Sequence, residues 1–381
     1  MRSNVYGLFF NAAEEMDMRL LICGDTVPTA GSAPLFETGD TNALFGRVKD
    51  EFAAHDRVIV NLECALTDSE HKIRKFGPNL KGPVQTAATL RAAGVTDCAL
   101  ANNHILDFGV GGLHDTERLL DAAGLRWFGC GENAEEAKKP YYIERNGKKV
   151  AFLAFNEHEY TYALGNQAGA APFDPFDAMA RIASVKKTAD YLIVLYHGGK
   201  EYCEYPSPRL RELCHAMTEL GADVVLCQHS HIIGCMERHA GGTIVYGQGN
   251  FHFVDFSEQP FWSRGLMISL DIGADVNVRC IPIVAGEKGV DLAGAAEARA
   301  ILDGFETRSE ELKDGRWLEG WRRFVRENGA GYIDCVRQAL DGDETHRERM
   351  AHYLDCEAHL DMLRELFRTW HNTQTDGAQE A

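Results

Sequence analysis

Six short apolar runs each end in a polar side chain able to bind a cation or carry a proton, and this recurrence constrains the fold more than any other feature of the chain. Leu20 to Cys23 runs into Gly24-Asp25, Val58 to Val60 into Asn61-Leu62-Glu63, and Cys98 to Ala101 into Asn102-Asn103-His104. Leu192 to Tyr196 runs into His197, Val224 to Cys227 into Gln228-His229-Ser230-His231, and Ile244 to Tyr246 into Gly247-Gln248-Gly249-Asn250. Helical patterns lie between them: Leu113, Leu119 and Leu120 precede Gly124, and Leu210, Leu213, Cys214, Met217 and Leu220 precede Gly221, each glycine placed to end its helix. Tyr141 to Ile143, Asn146-Gly147 and Val150 to Phe155 read as a β-hairpin on a type I′ turn. Strands alternating with helices describe an α/β layered domain, and such sheets place ligand sites beyond the carboxyl ends of their strands.

Near Ala295 the character changes to helix without strands. Trp317, Trp321, Phe324 and Val325 form one apolar stripe; Tyr353, Leu354, Leu360, Leu363, Leu366, Phe367 and Trp370 form another. The expected organisation is an α/β domain over 19–290, a helical appendage over 291–370, and flexible ends at 1–18 and 371–381. Three tryptophans on those stripes are costly to leave in water, so the helices are expected to pack over the domain or to make a homo-oligomer interface.

Net charge narrows the partners. With 39 basic against 57 acidic residues the chain carries −18, which repels nucleic acid and anionic membranes. No apolar run reaches the ~18 residues of a membrane span. Met1 to Met18 lacks the basic and apolar regions of a signal peptide. Eleven cysteines occur without a Cys-x-x-Cys pair, several inside strand-like runs, and read as reduced packing residues of a cytoplasmic protein.

Asp25, Glu63, Asn103, His197, His229 and His231 mix hard oxygen donors with imidazole, a set suited to Mn, Fe or Zn in a site without thiolates. His229 and His231, two apart in extended chain, would face the same side. A single strand-end Asp or Asn, Asp25 among them, reads more readily on its own as a turn or helix cap than as a ligand. Glu201 reads equally as a solvated helix-start carboxylate, and Glu157 and Glu159 read as solvated loop residues.

Taken in order, Gly24-Asp25, Asn61-Leu62-Glu63, Leu100-Ala101-Asn102-Asn103-His104, Asp107-Phe108-Gly109, Gly112-Leu113, Gly221-Ala222-Asp223-Val224-Val225, His229-Ser230-His231, Glu237 and Tyr246-Gly247-Gln248-Gly249-Asn250-Phe251 resemble the CapA (poly-γ-glutamate capsule synthesis) family, of the calcineurin-like metallophosphatase superfamily. The resemblance covers Arg19 to Val284. It implies a four-layer αββα fold, a β-sandwich flanked by helices, with the C-terminal helical appendage outside it. It implies a dinuclear divalent metal centre held by Asp25, Glu63, Asn103, His197, His229 and His231. His104 would serve as proton donor or transition-state stabiliser, and Glu201, Tyr202 and Asn250 would bind substrate.

The implied activity is metal-dependent hydrolysis of a phosphoester or an amide-type carbonyl, linked to capsule or poly-γ-glutamate metabolism, on a small-molecule or anionic polymer substrate. The alternative is a non-catalytic, metal-containing binding or assembly protein for the anionic polymer; an intact His104 favours the enzyme. Departures from the family pattern fall at Gly198, where the family usually has Trp, at Gln228 and Ser230, and at Gly247-Gln248. A further one is Val27, in a position where the superfamily commonly places a ligand histidine, so one ion of the pair is expected to be held by fewer donors.

Overall fold

Side-chain alternation along the strands sets the layers. The computed structural model describes residues 17–157, 159–254 and 259–376, with backbone alone at 159 and 369–376. The strands that matter here are β1 Met18–Thr26, β2 Arg57–Leu62, β3 Asp97–Ala99, β4 Arg126–Phe128, β5 Tyr141–Arg145, β6 Lys148–Asn156, β7 Tyr191–His197, β8 Val224–Gln228, β9 Met236–His239, β10 Gly242–Val245, β11 Asn250–His252, β12 Arg264–Ile272, β13 Val276–Ala285 and β14 Val290–Leu292. An eight-stranded sheet runs β14-β13-β12-β1-β2-β3-β4, with β11 also paired to β1; a six-stranded sheet runs β9-β10-β8-β7-β6-β5. Of the ends expected to be flexible, 1–16 and 377–381 lie outside the described residues, as do the side chains of Glu159 and Trp370. Met18 already belongs to β1.

Leu20 and Ile22 of β1, Ile59 of β2 and Ile268 of β12 point between the sheets, where they meet Phe152, Ala154, Ile193, Leu195, Val224 and Leu226. The alternate residues Leu21, Cys23, Val58, Val60 and Cys98 face outward against Leu90 of helix α1 (Thr86–Ala93) and Leu113 and Leu120 of α2 (Gly109–Ala123). On the other side Leu153, Leu192, Val194 and Val225 pack on Ile182 of α3 (Pro175–Val185) and on Leu210, Cys214 and Met217 of α4 (Pro208–Glu219). A period of two on each strand therefore buries both faces of both sheets, giving the helix-sheet-sheet-helix stack. Each fully buried Leu, Ile or Phe contributes roughly 1.5–3 kcal/mol.

The hairpin of β5 and β6 turns on Asn146 and Gly147, both at positive φ, as a type I′ turn requires. All eleven cysteines are buried free thiols. Among the described residues no helix is long and apolar enough to cross a membrane.

After β14 the regular elements are helices: α5 Ala295–Asp314, α6 Trp317–Leu340, α7 Glu344–Asp355 and α8 Glu357–Asp376. They pack on the α/β body. Ile301 and Phe305 of α5 enter the core between the sheets, and Leu312 and Trp317 enter the outer core beside α4. Trp321, Val325 and Tyr332 of α6 and Met362 of α8 close over Cys203, in the loop that follows β7.

Candidate metal centre

Parallel pairing brings the carboxyl ends of β1, β2 and β3 to one edge of the first sheet and those of β7 and β8 to the adjoining edge of the second. Asp25, Glu63, Asn103, His197, His229 and His231 converge there. His197 Nε2 lies 2.9 Å from Asn103 Oδ1 and 3.3 Å from Glu63 Oε1. The His197 and His229 rings are 5.0 Å apart and the His229 and His231 rings 5.6 Å. One ligand atom each from Glu63, His229 and His231 fits within 4.8 Å of the others.

Two local devices make this convergence possible. Gly24 lets the chain of β1 pass close to Gly249, whose carbonyl a Cβ would strike. His229 and His231 are not in extended chain, as the spacing predicts, but in the left-handed region, with φ of 86° and 55°. Strand β8 ends at Gln228 and the chain turns there. Asp25 Oδ2 accepts a hydrogen bond from the His229 backbone N–H (3.1 Å), and Ser230 O accepts one from Tyr202 N–H (2.8 Å). Holding non-glycine residues at positive φ costs of order 1–3 kcal/mol each, which the surrounding bonds must outweigh.

Apart from Asn103, the side chains of the centre are buried. Burial, with Glu63 adding to it, raises the Asp25 pKa to about 6 against the pull of His197 and His231. Burial likewise raises Glu63, and it lowers His197 to about 4. Burial also opposes a proton on His231, but Glu63 and Asp25 outweigh it and raise that pKa. Among the described residues neither carboxylate oxygen of Glu63 has a hydrogen-bond partner, although both are buried. Such an orphaned carboxylate is expensive unless a cation completes it. With imidazole and amide donors around it, the set fits a divalent metal.

Residues that sequence reasoning passed over hold the ligands in place. Asn61 Nδ2 donates to Asp25 Oδ1 (2.7 Å), and Asn102 Nδ2 donates to Asn61 Oδ1 (3.1 Å) and to Leu62 O (2.8 Å). Asn250 lies deeper than the other residues expected to bind substrate. It is buried and not among the residues that line the cleft, and its Oδ1 lies 2.9 Å from His231 Nδ1, a contact that orients that ring. Val27 is buried in the outer core and offers no donor.

His104 stands at the floor of a cleft of about 1290 Å³. Its Nδ1 lies 2.6 Å from Asp107 Oδ2, which leaves Nε2 for the cleft. Lys75, buried among these groups, donates to Asp107 Oδ1 (2.5 Å) and lies 3.1 Å from the same Nδ1. Burial first, then Lys75, lowers the His104 pKa, while Asp107 works against them. The basic stretch Lys72-Ile-Arg-Lys75 in so acidic a chain is the signal that could have drawn attention to it. Glu201 and Tyr202 do line the cleft; Glu201 Oε1 is 3.8 Å from His229 Nε2. Tyr202 is 43% exposed although its φ is 65°.

Glu157 corrects another expectation. It is buried, not solvated: Oε1 pairs with Arg209 and Oε2 accepts from Gly199 N–H (2.6 Å). Burial raises its pKa and Arg209 opposes the rise. Gly198 makes room for this carboxylate, since a Cβ at 198 would collide with it. The departure from the usual Trp thus has a packing cause.

The ordered motifs agree with comparison to known proteins. The family model described as "Bacterial capsule synthesis protein PGA_cap" matches residues 19–255. The chain belongs to that family. It is 30% identical over 249 residues to the capsule biosynthesis protein CapA of Bacillus anthracis, covering 63% of this chain and 61% of that protein. It is 32% identical over 221 residues to the PGA biosynthesis protein CapA of Bacillus subtilis strain 168, covering 57% and 58%. The chain therefore spans about three fifths of the length of these curated relatives. Similar solved structures include a hypothetical protein from Thermus thermophilus (18% identity, 71% of this chain and 100% of that one, TM-score 0.46). A 5′-nucleotidase precursor from the same organism matches at 12% identity, 76% and 58% coverage, and TM-score 0.43.

Proposed function

We propose that this PGA_cap family member is a metal-dependent hydrolase of phosphoesters acting in capsule or poly-γ-glutamate metabolism. The observation that carries the reading is the buried carboxylate of Glu63, without a hydrogen-bond partner among the described residues and set among imidazoles, next to a histidine-aspartate pair that opens on a cleft. Asp25, Glu63, Asn103, His197, His229 and His231 would hold a divalent pair, with Asn61 and Asn250 fixing Asp25 and His231. When bound, such ions polarise a phosphoryl group and lower the pKa of water.

The protein's own part begins with exclusion of bulk water from the floor, where every one of those side chains except Asn103 is buried. Water adds to phosphorus as the ester P–O bond breaks, and the leaving oxygen needs a proton. His104 is placed to give it from Nε2, with Asp107 holding the proton on Nδ1 and so fixing the ring. Lys75 secures Asp107 and disfavours a proton that stays on the imidazole. Glu201 and Tyr202 border the substrate from the loop after β7.

Assay of the Mn²⁺-loaded protein against p-nitrophenyl phosphate, a bis-aryl phosphodiester and a γ-glutamyl oligomer tests the reading. Turnover of a phosphoester that is lost with His104→Ala is the expected result. Metal bound without turnover of any of the three would favour the binding or assembly role suggested by the relatives' names.

A further inference from the structure

We infer that helices α6 to α8 form a specificity wall for a planar heteroaromatic group, of nucleobase size, carried by the phosphoester. The inference rests on the phosphoesterase reading for the substrate's phosphate and stands on a different set of residues. Tyr332 of α6, His352 and Tyr353 of α7, and His359 of α8 line the cleft across from the metal-ligand floor, joined by Phe76 and Tyr160 of the body. Their rings pack against one another, some stacked and some edge-on, His352 and His359 lying 4.9 Å apart at 69°. Tyr332 and Tyr353 are 4.6 Å apart at 28°, Tyr353 and His359 4.5 Å at 33°, and Tyr160 and His352 5.5 Å at 20°.

A cluster that served packing alone would be buried on all sides. Here Phe76, Tyr160, His352, Tyr353 and His359 each remain only partly buried and border the same open space. Ligand sites are concave, rich in aromatic faces and supplied with a few polar groups, which describes this wall. Among the described residues the C-terminal helices contribute Glu327 and no Lys or Arg to the lining, and the cations of the cleft, Lys75 and Lys200, come from the body, so along the helices themselves an extended polyanion meets no counter-charge. The Tyr332 hydroxyl and His359 Nδ1 are 2.5 Å apart and the Tyr160 hydroxyl accepts from the Phe76 N–H (3.1 Å), so what the wall offers a ligand is aromatic surface, which suits a flat ring. The volume of about 1290 Å³ holds much more than a phosphate.

The experiment uses the full chain and titrates adenosine, AMP and ribose 5-phosphate by calorimetry, with saturation-transfer NMR for the weakest. Adenosine reports the wall without phosphate, and ribose 5-phosphate reports phosphate without a ring. AMP is expected to bind at least 10-fold more tightly than ribose 5-phosphate, because one stacked base contributes a factor of that order. Tyr353→Ala should erase that advantage and weaken adenosine, whereas Tyr353→Phe, which keeps the ring and the packing, should retain both. Equal binding of AMP and ribose 5-phosphate, or adenosine binding that survives Tyr353→Ala in a protein of unchanged circular dichroism, overturns the wall. AMP binding no more tightly than adenosine would instead overturn the phosphoester reading and leave the wall standing.

Discussion

Replacing Arg209 by Leu should destabilise the protein by about 3 kcal/mol at pH 8 and by much less at pH 5. Arg209 is the cation between two buried carboxylates, Glu157 of the body and Asp361 of α8, whose side chains are 1% and 6% exposed. Removing one partner of a buried pair typically costs 3–5 kcal/mol. The lower end applies because other donors remain: Asp361 keeps Ser207 Oγ at 2.5 Å and Arg364 at 3.2 Å, and Glu157 keeps Gly199 N–H at 2.6 Å.

The pH dependence has a definite sign. Burial already raises Glu157 and only Arg209 and the neighbouring donors hold it down, so the variant's folded state binds a proton that the unfolded chain releases above its ordinary pKa of 4.5. When the folded state holds more protons, stability falls as pH rises. Each unit of added pKa elevation costs about 1.4 kcal/mol at pH values above it. Urea unfolding at pH 5 and pH 8 measures both numbers, and adding Glu157→Gln to Arg209→Leu should recover about 2 kcal/mol at pH 8 and flatten the dependence. A loss below about 1 kcal/mol at pH 8, or an equal loss at the two pH values, would refute the account.

Four further outcomes are expected. The double variant His229→Ala/His231→Ala should lose metal by elemental analysis while keeping its circular dichroism, and undiminished metal would remove both from the ligand set. His104→Ala should lower kcat roughly 10²-fold or more with metal content unchanged, and more steeply for poor leaving groups than for activated aryl esters. Because Val27 offers no donor, calorimetric titration of the metal-free protein with Mn²⁺ should resolve two unequal sites; two equally tight sites would show that another residue, such as Glu201, makes up the deficit. Burial would raise Glu237, but hydrogen bonds from Arg211, His215 and Tyr246 hold it at about 2. Its stabilisation is complete above about pH 5 and is lost as pH falls towards 2; Arg211→Met should remove about 1–2 kcal/mol of it, allowing for solvent screening, as measured by urea unfolding at pH 6 against pH 3.

What was legible in the sequence was local. A polar residue that ends an apolar strand is placed by that strand, so Asp25, Glu63, Asn103 and His197 could be read before any tertiary contact was known. Depth was not legible: Asn250 obeys the same pattern, yet the pairing of Asp25 with Asn250 between β1 and β11 sets it behind His231. Nor was backbone conformation at His229 and His231, which depends on Asp25 and Tyr202 from distant segments. Glu157 looks like any loop carboxylate until Arg209 is brought to it. The apolar stripes of the C-terminal helices announce burial, but a stripe does not say which of its edges will border a cleft. Tyr332 and His359 emerge there because α6 and α8 pack on Cys203, a contact with no local signature.

Strand β1 lies in the interior of the eight-stranded sheet, with Leu20 paired to Arg57 on one side and to Leu270 on the other. On a ribosome the first of these partners emerges soon after β1, whereas the second is made roughly tens of seconds later at 5–20 residues per second. Through that interval one edge of β1, apolar on both faces from Leu20 to Cys23, has no strand to pair with, and Asp25 waits for the histidines of β8 and its turn. Late closure by a distant strand makes for slow folding and for dependence on chaperones that shield open edges. Fragments ending before Ile272 should therefore be handled by the cell as unfinished protein.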